Sequence, residues 1–381
     1  MILQSIHYRA KKHEAHLSHN ALKNQQNTRF LALRHTGHYD DFMQKIRALL
    51  TDWQQDYYLP KSAPFVKHHY EYCVFDNQLT WDDGWAQPTH NSLNILDIYQ
   101  EQYPDLSEYS LLQLCAQEAF LRRAAQLPQY PMMLKGSHLT RQYFANPAER
   151  VPQDLDFVLL GQYDSEKEVE AQLSAWAQAV STQPCDDGVL FTAFAENAFW
   201  RNVDYAMSDD FPTTNTDLTC QINGQYVDLE MDISFNLPIP LPPEPVRVAT
   251  AWDTFTFERA VPLPLQIAWK LHQTLTRPRF KDLYDLGFLM QSISHDEQIT
   301  QTFAALIDEC EHDNIQRERI AHLFNGQIAA LFQPLDKEQY WETFIHQYGM
   351  PSQVQSWAQL FEWYEHHRMG AGFSLAAFQA A

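Results

Sequence analysis

The 381-residue sequence has no apolar run long enough to span a bilayer, and its opening residues, MILQSIHYRAKKHEAH, lack the apolar core of a secretory leader. A soluble protein of the cytoplasm is expected. Cysteine is scarce: Cys73, Cys115, Cys185, Cys220 and Cys310 stand far apart, without the paired spacing of a metal site or a disulfide framework. Reduced, mostly buried thiols fit that pattern. Basic charge is also short, with 27 Lys and Arg against 48 Asp and Glu and a formal net charge of −21. An acidic chain repels phosphate backbones, which argues against indiscriminate nucleic-acid binding. Apolar residues are plentiful at 45%, which fits two or three folded domains rather than a disordered chain.

The charge is unevenly spread. Up to His38 there are six basic residues (Arg9, Lys11, Lys12, Lys23, Arg29, Arg34) and one acid, Glu14. A basic arm of this kind can contact RNA or a partner; a solvated polar leader is the plainer reading. Residues 39–57 have helical spacing, and residues 65–100 read as strands and turns. His68 and His69 are adjacent in a strand and so face opposite sides, which argues against a shared metal. Residues 1–105 are read as an N-terminal extension, 106–245 as a catalytic domain and 246–381 as a helical domain.

The chain is organised around residues 132–157, MMLKGSHLTRQYFANPAERVPQDLDF. Met132, Met133 and Leu134 read as a short buried strand, which Lys135-Gly136-Ser137 breaks to start a helix. Asp154 and Asp156 then sit two apart in a strand, on one face, while Leu155 and Phe157 point into the core. Two carboxylates at a strand tip repel unless something positive lies between them, and Mg²⁺ commonly takes one or two carboxylates plus phosphate oxygens. A Gly-Ser turn entering a helix offers N–H groups to such phosphates. A helix over residues 107–127 precedes this stretch, and Ser165 with Glu168 forms a capping box for a helix to about residue 180.

Further on, Asn223-Gly224 between two alternating runs signals a hairpin. Its second strand carries Asp228, Glu230 and Asp232 on one face. Such a row is often solvent-facing; beside Asp154 and Asp156 it can supply a third metal ligand, and Asp232 is placed in that role. Residues 237–245, LPIPLPPEP, read as a stiff connector without ladder potential. Then Ile267, Leu271 and Leu275 form a helical stripe flanked by Lys270, and Asp282 and Asp285 open the next helix. Beyond residue 296 the chain reads as helical, with an aromatic-rich end.

Taken in order, LKGSHLTR, R-x-x-x-DLDF, MDISF, an A-x-KL helix and KDLYDL resemble the AbiEii/AbiGii (type IV toxin) nucleotidyltransferases over about residues 110–295. The resemblance implies an α+β fold: the polymerase-β-like mixed sheet with a helical domain beside it. It also implies that Lys135, Gly136 and Ser137 cradle a triphosphate, with Arg141 and Arg150 neutralising phosphate. Asp154, Asp156 and Asp232 would hold Mg²⁺ or Mn²⁺. Lys270 would meet phosphate charge, and Asp282 or Asp285 would complete the site from the helical side. The implied reaction moves an NMP from an NTP to an acceptor hydroxyl, with tRNA as acceptor and an antitoxin protein as partner. Departures are Ser137, His138, Pro152 and Lys281, where the family pattern has Gly, Thr, Ser and Arg. Two other readings share these residues: transfer to a protein or small molecule, including kinase chemistry, and an inactive interaction module.

Overall fold

A computed structural model describes residues 95–192, 201–203, 213–333, 336–349 and 351–381. The basic arm, the helix expected over 39–57 and the His68-His69 strand lie outside the described residues.

The described chain begins with helices α1 (Ile95–Gln102) and α2 (Glu108–Ala125). Ser107 caps α2 by accepting from the Ser110 N–H. Strand β1 (Met132–Lys135) turns straight into the short helix α3 (Gly136–Thr140), then two 3-10 turns lead to β2 (Leu155–Leu159). Helix α4 (Glu166–Thr182) follows, capped by Ser165, and then β3 (Val189–Phe191) and β4 (Arg201–Val203). Strands β5 (Thr213–Ile222) and β6 (Gln225–Phe235) form the expected hairpin. Asn223 and Gly224 take φ of 48° and 79°, the left-handed pair that a two-residue hairpin turn needs.

The eight strands form one mixed sheet in the order β3-β5-β6-β2-β1-β8-β7, with β4 on β5. Its parallel pairs are β2·β6 and β1·β8. Leu155, Phe157, Met231 and Ile233 are fully buried on one face of the central strands. There Phe157 meets Trp176 of α4 at 5.0 Å between ring centroids, and Phe120 of α2 meets Trp176 at 5.4 Å, both edge-on. Burying three large aromatics in edge-to-face contact fixes the sheet against these helices. The opposite face of the same strands carries the acids. The fold is therefore α+β with a mixed sheet.

After the sheet the chain is helical: α5 (Leu263–Thr276), α6 (Phe280–Gln291), α7 (Asp296–His312), α8 (Arg317–Ala321), α9 (Ile328–Leu331), α10 (Lys337–Tyr348), α11 (Trp357–Gly370) and α12 (Leu375–Ala380). The aromatic-rich end packs as core; Phe280 stacks on Phe332 at 5.2 Å and meets Phe361 and Trp341.

Two expectations are corrected. Residues 95–100 were read with a strand-and-turn region but form α1, because Ile95 and Tyr99 share a helical face buried against α2. The proline-rich connector leads directly into β7 (Glu244–Ala249), which pairs antiparallel with β8 (Thr254–Ala260). Its last proline, Pro245, lies within β7 at the irregularity between Glu244 and Val246, where no ladder N–H is required of it. Residues 245 and 246 both lie in β7, and the sheet runs on to Ala260, since β8 also pairs with β1 through Leu134 and Ala260.

Candidate active site

The register of three strands assembles the acidic centre. Asp156 on β2 lies opposite Asp232 on β6 in the parallel ladder, and opposite Lys135 on β1 in the antiparallel one. Neighbours across a ladder share a face, so a pairing between residues 76 positions apart becomes a side-by-side contact. Asp154, just before β2, joins them: each of Asp154, Asp156 and Asp232 offers a carboxylate oxygen within 4.8 Å of the others. Asp228, the other candidate third acid, lies one turn of the ladder away, where the Thr219 hydroxyl donates to it at 3.0 Å.

Crowding shows in the titration. Asp156, burial and Asp232 together push Asp154 up to about 7, against the opposing pull of Lys281 and Arg150. Like charges held this close disfavour joint ionisation. Gly136 lets the centre form at all: its φ of +73° is left-handed, and a Cβ there would stand 1.9 Å from Asp156 Oδ2. Beside it the Ser137 side chain is 8% exposed, and its hydroxyl has no hydrogen-bond partner among the described residues.

The facing wall is built by α5 and α6. Lys270 Nζ lies 2.7 Å from Asp285 and 3.3 Å from Asp282. Arg150 Nε pairs with Asp285 at 3.0 Å, and Arg279 Nε with Asp282 at 2.6 Å. Burial alone would raise both carboxyls; Lys270 and Arg279 outweigh it at Asp282, and Arg150 and Lys270 outweigh it at Asp285, holding both below the usual range. Burial, with Arg279 nearby, takes Lys281 down to about 8.

A cleft of about 210 Å³ runs between the walls and is lined by Lys135, Gly136, Ser137, Arg150, Asp154, Asp156, Lys270 and Asp282. Eight of the residues expected from sequence thus meet there. Asp285 sits behind the wall and acts on the cleft through Lys270 and Arg150. Arg141 is not brought to the cleft: it is fully buried, paired with Glu118 at 2.5 Å and close to the Tyr103 hydroxyl at 3.3 Å. It ties the chain after α3 to α1 and α2, which corrects its expected place beside phosphate. Sequence reading missed Arg279 and Lys281 as cleft residues, and Thr140, Gln153, Gln266, Trp269, Gln273 and Glu309 with them. The basic alternation Arg277-Pro278-Arg279-Phe280-Lys281 ahead of Asp282 was the available signal.

Three hard oxygen donors crowded onto one spot, with Gly136 leaving the room, suit a divalent cation. Asp154, Asp156 and Asp232 are the residues that could hold it.

A sequence model described as the nucleotidyl transferase AbiEii toxin of type IV toxin–antitoxin systems matches residues 119–363. The chain belongs to the AbiEii family. It is a nucleotidyltransferase, and the family match runs well past residue 295, taking in helices that the motifs alone had left out. Among solved structures, JHP933 from Helicobacter pylori is 16% identical with a TM-score of 0.42, covering 72% of this chain and 97% of that one. A second H. pylori protein, described as a candidate nucleotidyltransferase, is 15% identical with a TM-score of 0.41, covering 71% and 98%. No curated protein matches. Helix α1 with Tyr99, and Tyr103 just after it, lie before the AbiEii match. Among the described residues no helix is long and apolar enough to cross a membrane.

Proposed function

We propose that this AbiEii-family chain moves an NMP from an NTP to an acceptor hydroxyl, using Mg²⁺ (or Mn²⁺), and acts in the cytoplasm as a toxin on tRNA, restrained by a cognate antitoxin protein. The acceptor oxygen bonds to the α-phosphorus, the α–β phosphoanhydride breaks, and pyrophosphate leaves. The observation that carries this reading is the carboxylate triad, two of whose members, Asp154 and Asp156, line one cleft with Lys270, Arg150 and Arg279 while Asp232 stands beside them outside its lining. The Ser137 hydroxyl, which has no partner among the described residues, and the Lys135 amine, which donates to Ser234, would bind phosphate oxygens. Lys270, Arg150 and Arg279, held rigid by Asp282 and Asp285, neutralise the charge that grows on the leaving group. A divalent ion held by the triad would supply Lewis-acid stabilisation to the attacking and leaving oxygens.

A second reading, transfer to a protein or small molecule, draws support from the net charge of −21, which opposes a polyanionic acceptor. The deciding experiment offers α-labelled NTPs singly, with Mg²⁺, total RNA and protein extract. The expected result is label in a tRNA-sized band, absent with Asp154→Ala. Label in protein or a small molecule would replace the acceptor. No label from any nucleotide would sink the transfer assignment.

A further inference from the structure

The phosphate end of the cleft is accounted for by the triad and the cations; its other end is not. Helix α5 lines the cleft with Gln266, Trp269, Lys270 and Gln273, and with His272 at its margin. The spacing of the first four is that of one helical face, while Ile267, Ala268, Leu271 and Leu275 are buried on the other. Gln266 and Gln273 are about 10 Å apart along the axis, roughly the length of a nucleotide. In that stripe Trp269 stands apart chemically. It is half-buried, and it contributes the sole indole or phenyl ring among the cleft's described lining residues. Its ring is also fixed in place, because Nε1–H donates to Glu309 Oε1 of α7 at 2.6 Å. The only other ring in the lining, His272, is 6% exposed and held by Asp313 at 2.9 Å.

The Trp269 ring packs in part against the core and in part lines the cleft, next in sequence to the Lys270 that meets the phosphate end. With its polar edge anchored, stacking is the interaction that the cleft-lining part of a flat ring offers to any base. We infer that Trp269 is the platform on which the nucleobase of the NTP stacks, and that Glu309 sets the angle of that platform. This rests on the nucleotidyl-transfer reading and adds the seat for the base. Trp269 thereby binds the nucleotide through its base, while Lys270, one position on, serves the phosphates. Base identity would enter through Gln273 and Glu309, which line the same cleft, Gln273 being held by Arg279.

The test uses the full chain with Mg²⁺ and two probes: NTP analogues with a methylene α–β bridge, and inorganic tripolyphosphate. Titration calorimetry on wild type, Trp269→Ala and Trp269→Phe gives the affinities. Trp269→Ala should weaken analogue binding on the order of tenfold and leave tripolyphosphate unchanged; Trp269→Phe should retain most of the analogue affinity. Wild-type tryptophan fluorescence should respond to the analogues and not to tripolyphosphate. Unaltered analogue affinity in Trp269→Ala, or equal losses for both probes, would overturn the inference while leaving nucleotidyl transfer standing. A wild-type chain that binds neither probe would overturn the functional reading and this one with it.

Discussion

Five aspartates approach the cleft in two groups with opposite electrostatics. On the strand wall, Asp154, Asp156 and Asp232 crowd together, and mutual repulsion with burial lifts Asp154 to about 7. On the helical wall, Asp282 and Asp285 are more deeply buried, at 0% and 1% exposure, yet titrate below the usual range. Depth of burial therefore does not separate the groups; their partners do. Lys270, Arg150 and Arg279 already neutralise the helical pair. The strand triad crowds three carboxylates onto one spot, an arrangement that could hold a divalent ion. The pair positions basic side chains, whereas the triad could accept a metal cation.

The sharpest way to break that contrast is to remove one acid from each wall. Asp285→Ala leaves Lys270 and Arg150 facing one another without their shared carboxylate, and should lower unfolding free energy by about 3–5 kcal/mol in chemical denaturation. Asp156→Ala, measured in cation-free buffer, should instead leave stability unchanged or raise it, because it relieves repulsion. If both variants lose stability alike, the two groups do not differ as described.

Gly136→Ala tests whether the strand wall needs its close approach. The added methyl must displace Asp156 and sit at a left-handed φ, so nucleotide incorporation should fall about 10–100-fold. The melting midpoint should fall with it, by the equivalent of about 1–3 kcal/mol. Full activity would show that Asp156 has freedom to move.

The pH dependence of stability should have opposite signs at the two walls. The folded pKa of Asp154 is raised, so its contribution is fully present below its ordinary value of 3.8 and is lost as pH rises to about 7. Asp282 and Asp285 are depressed; their contribution is present above the ordinary carboxylate value and is lost as pH falls through the lowered one. Cation-free denaturation between pH 4 and pH 8 should show the first slope, and Asp154→Asn should flatten it. A slope that survives Asp154→Asn belongs to another group.

The smallest effect is expected at Asp228. It loses one hydrogen bond from Thr219 in Asp228→Ala, worth about 1 kcal/mol, and transfer should stay within about twofold of wild type. A large loss of activity would mean that the acidic row works along its whole length.

Much of the site was legible because its signals are local. The Asp154/Asp156 alternation, the Gly136-Ser137 break after an apolar run and the Asn223-Gly224 hairpin each need only a few residues of context. Arg141 shows where this fails. An arginine five residues after a Gly-Ser turn reads the same whether it points to phosphate or to a buried acid, and Glu118, 23 residues earlier, decides which. Arg279 and Lys281 were passed over for the converse reason: a basic run before a helix is ordinary until the helix is docked beside a carboxylate cluster.

By itself, then, the sequence determined the kinds of element and the chemistry each can carry: alternation puts acids on one strand face, helical period puts Lys270 on the flank of the Ile267, Leu271 and Leu275 stripe, and glycine permits the turn. Tertiary structure alone decided which of these meet. The parallel register of β2 and β6 sets Asp232 rather than Asp228 beside Asp156, and continuation of the sheet through β7 and β8 carries the chain back across β1. That return delivers α5 and α6 to the far side of the cleft. Side-chain pattern is fixed by neighbours in sequence, whereas register and docking depend on contacts between distant residues.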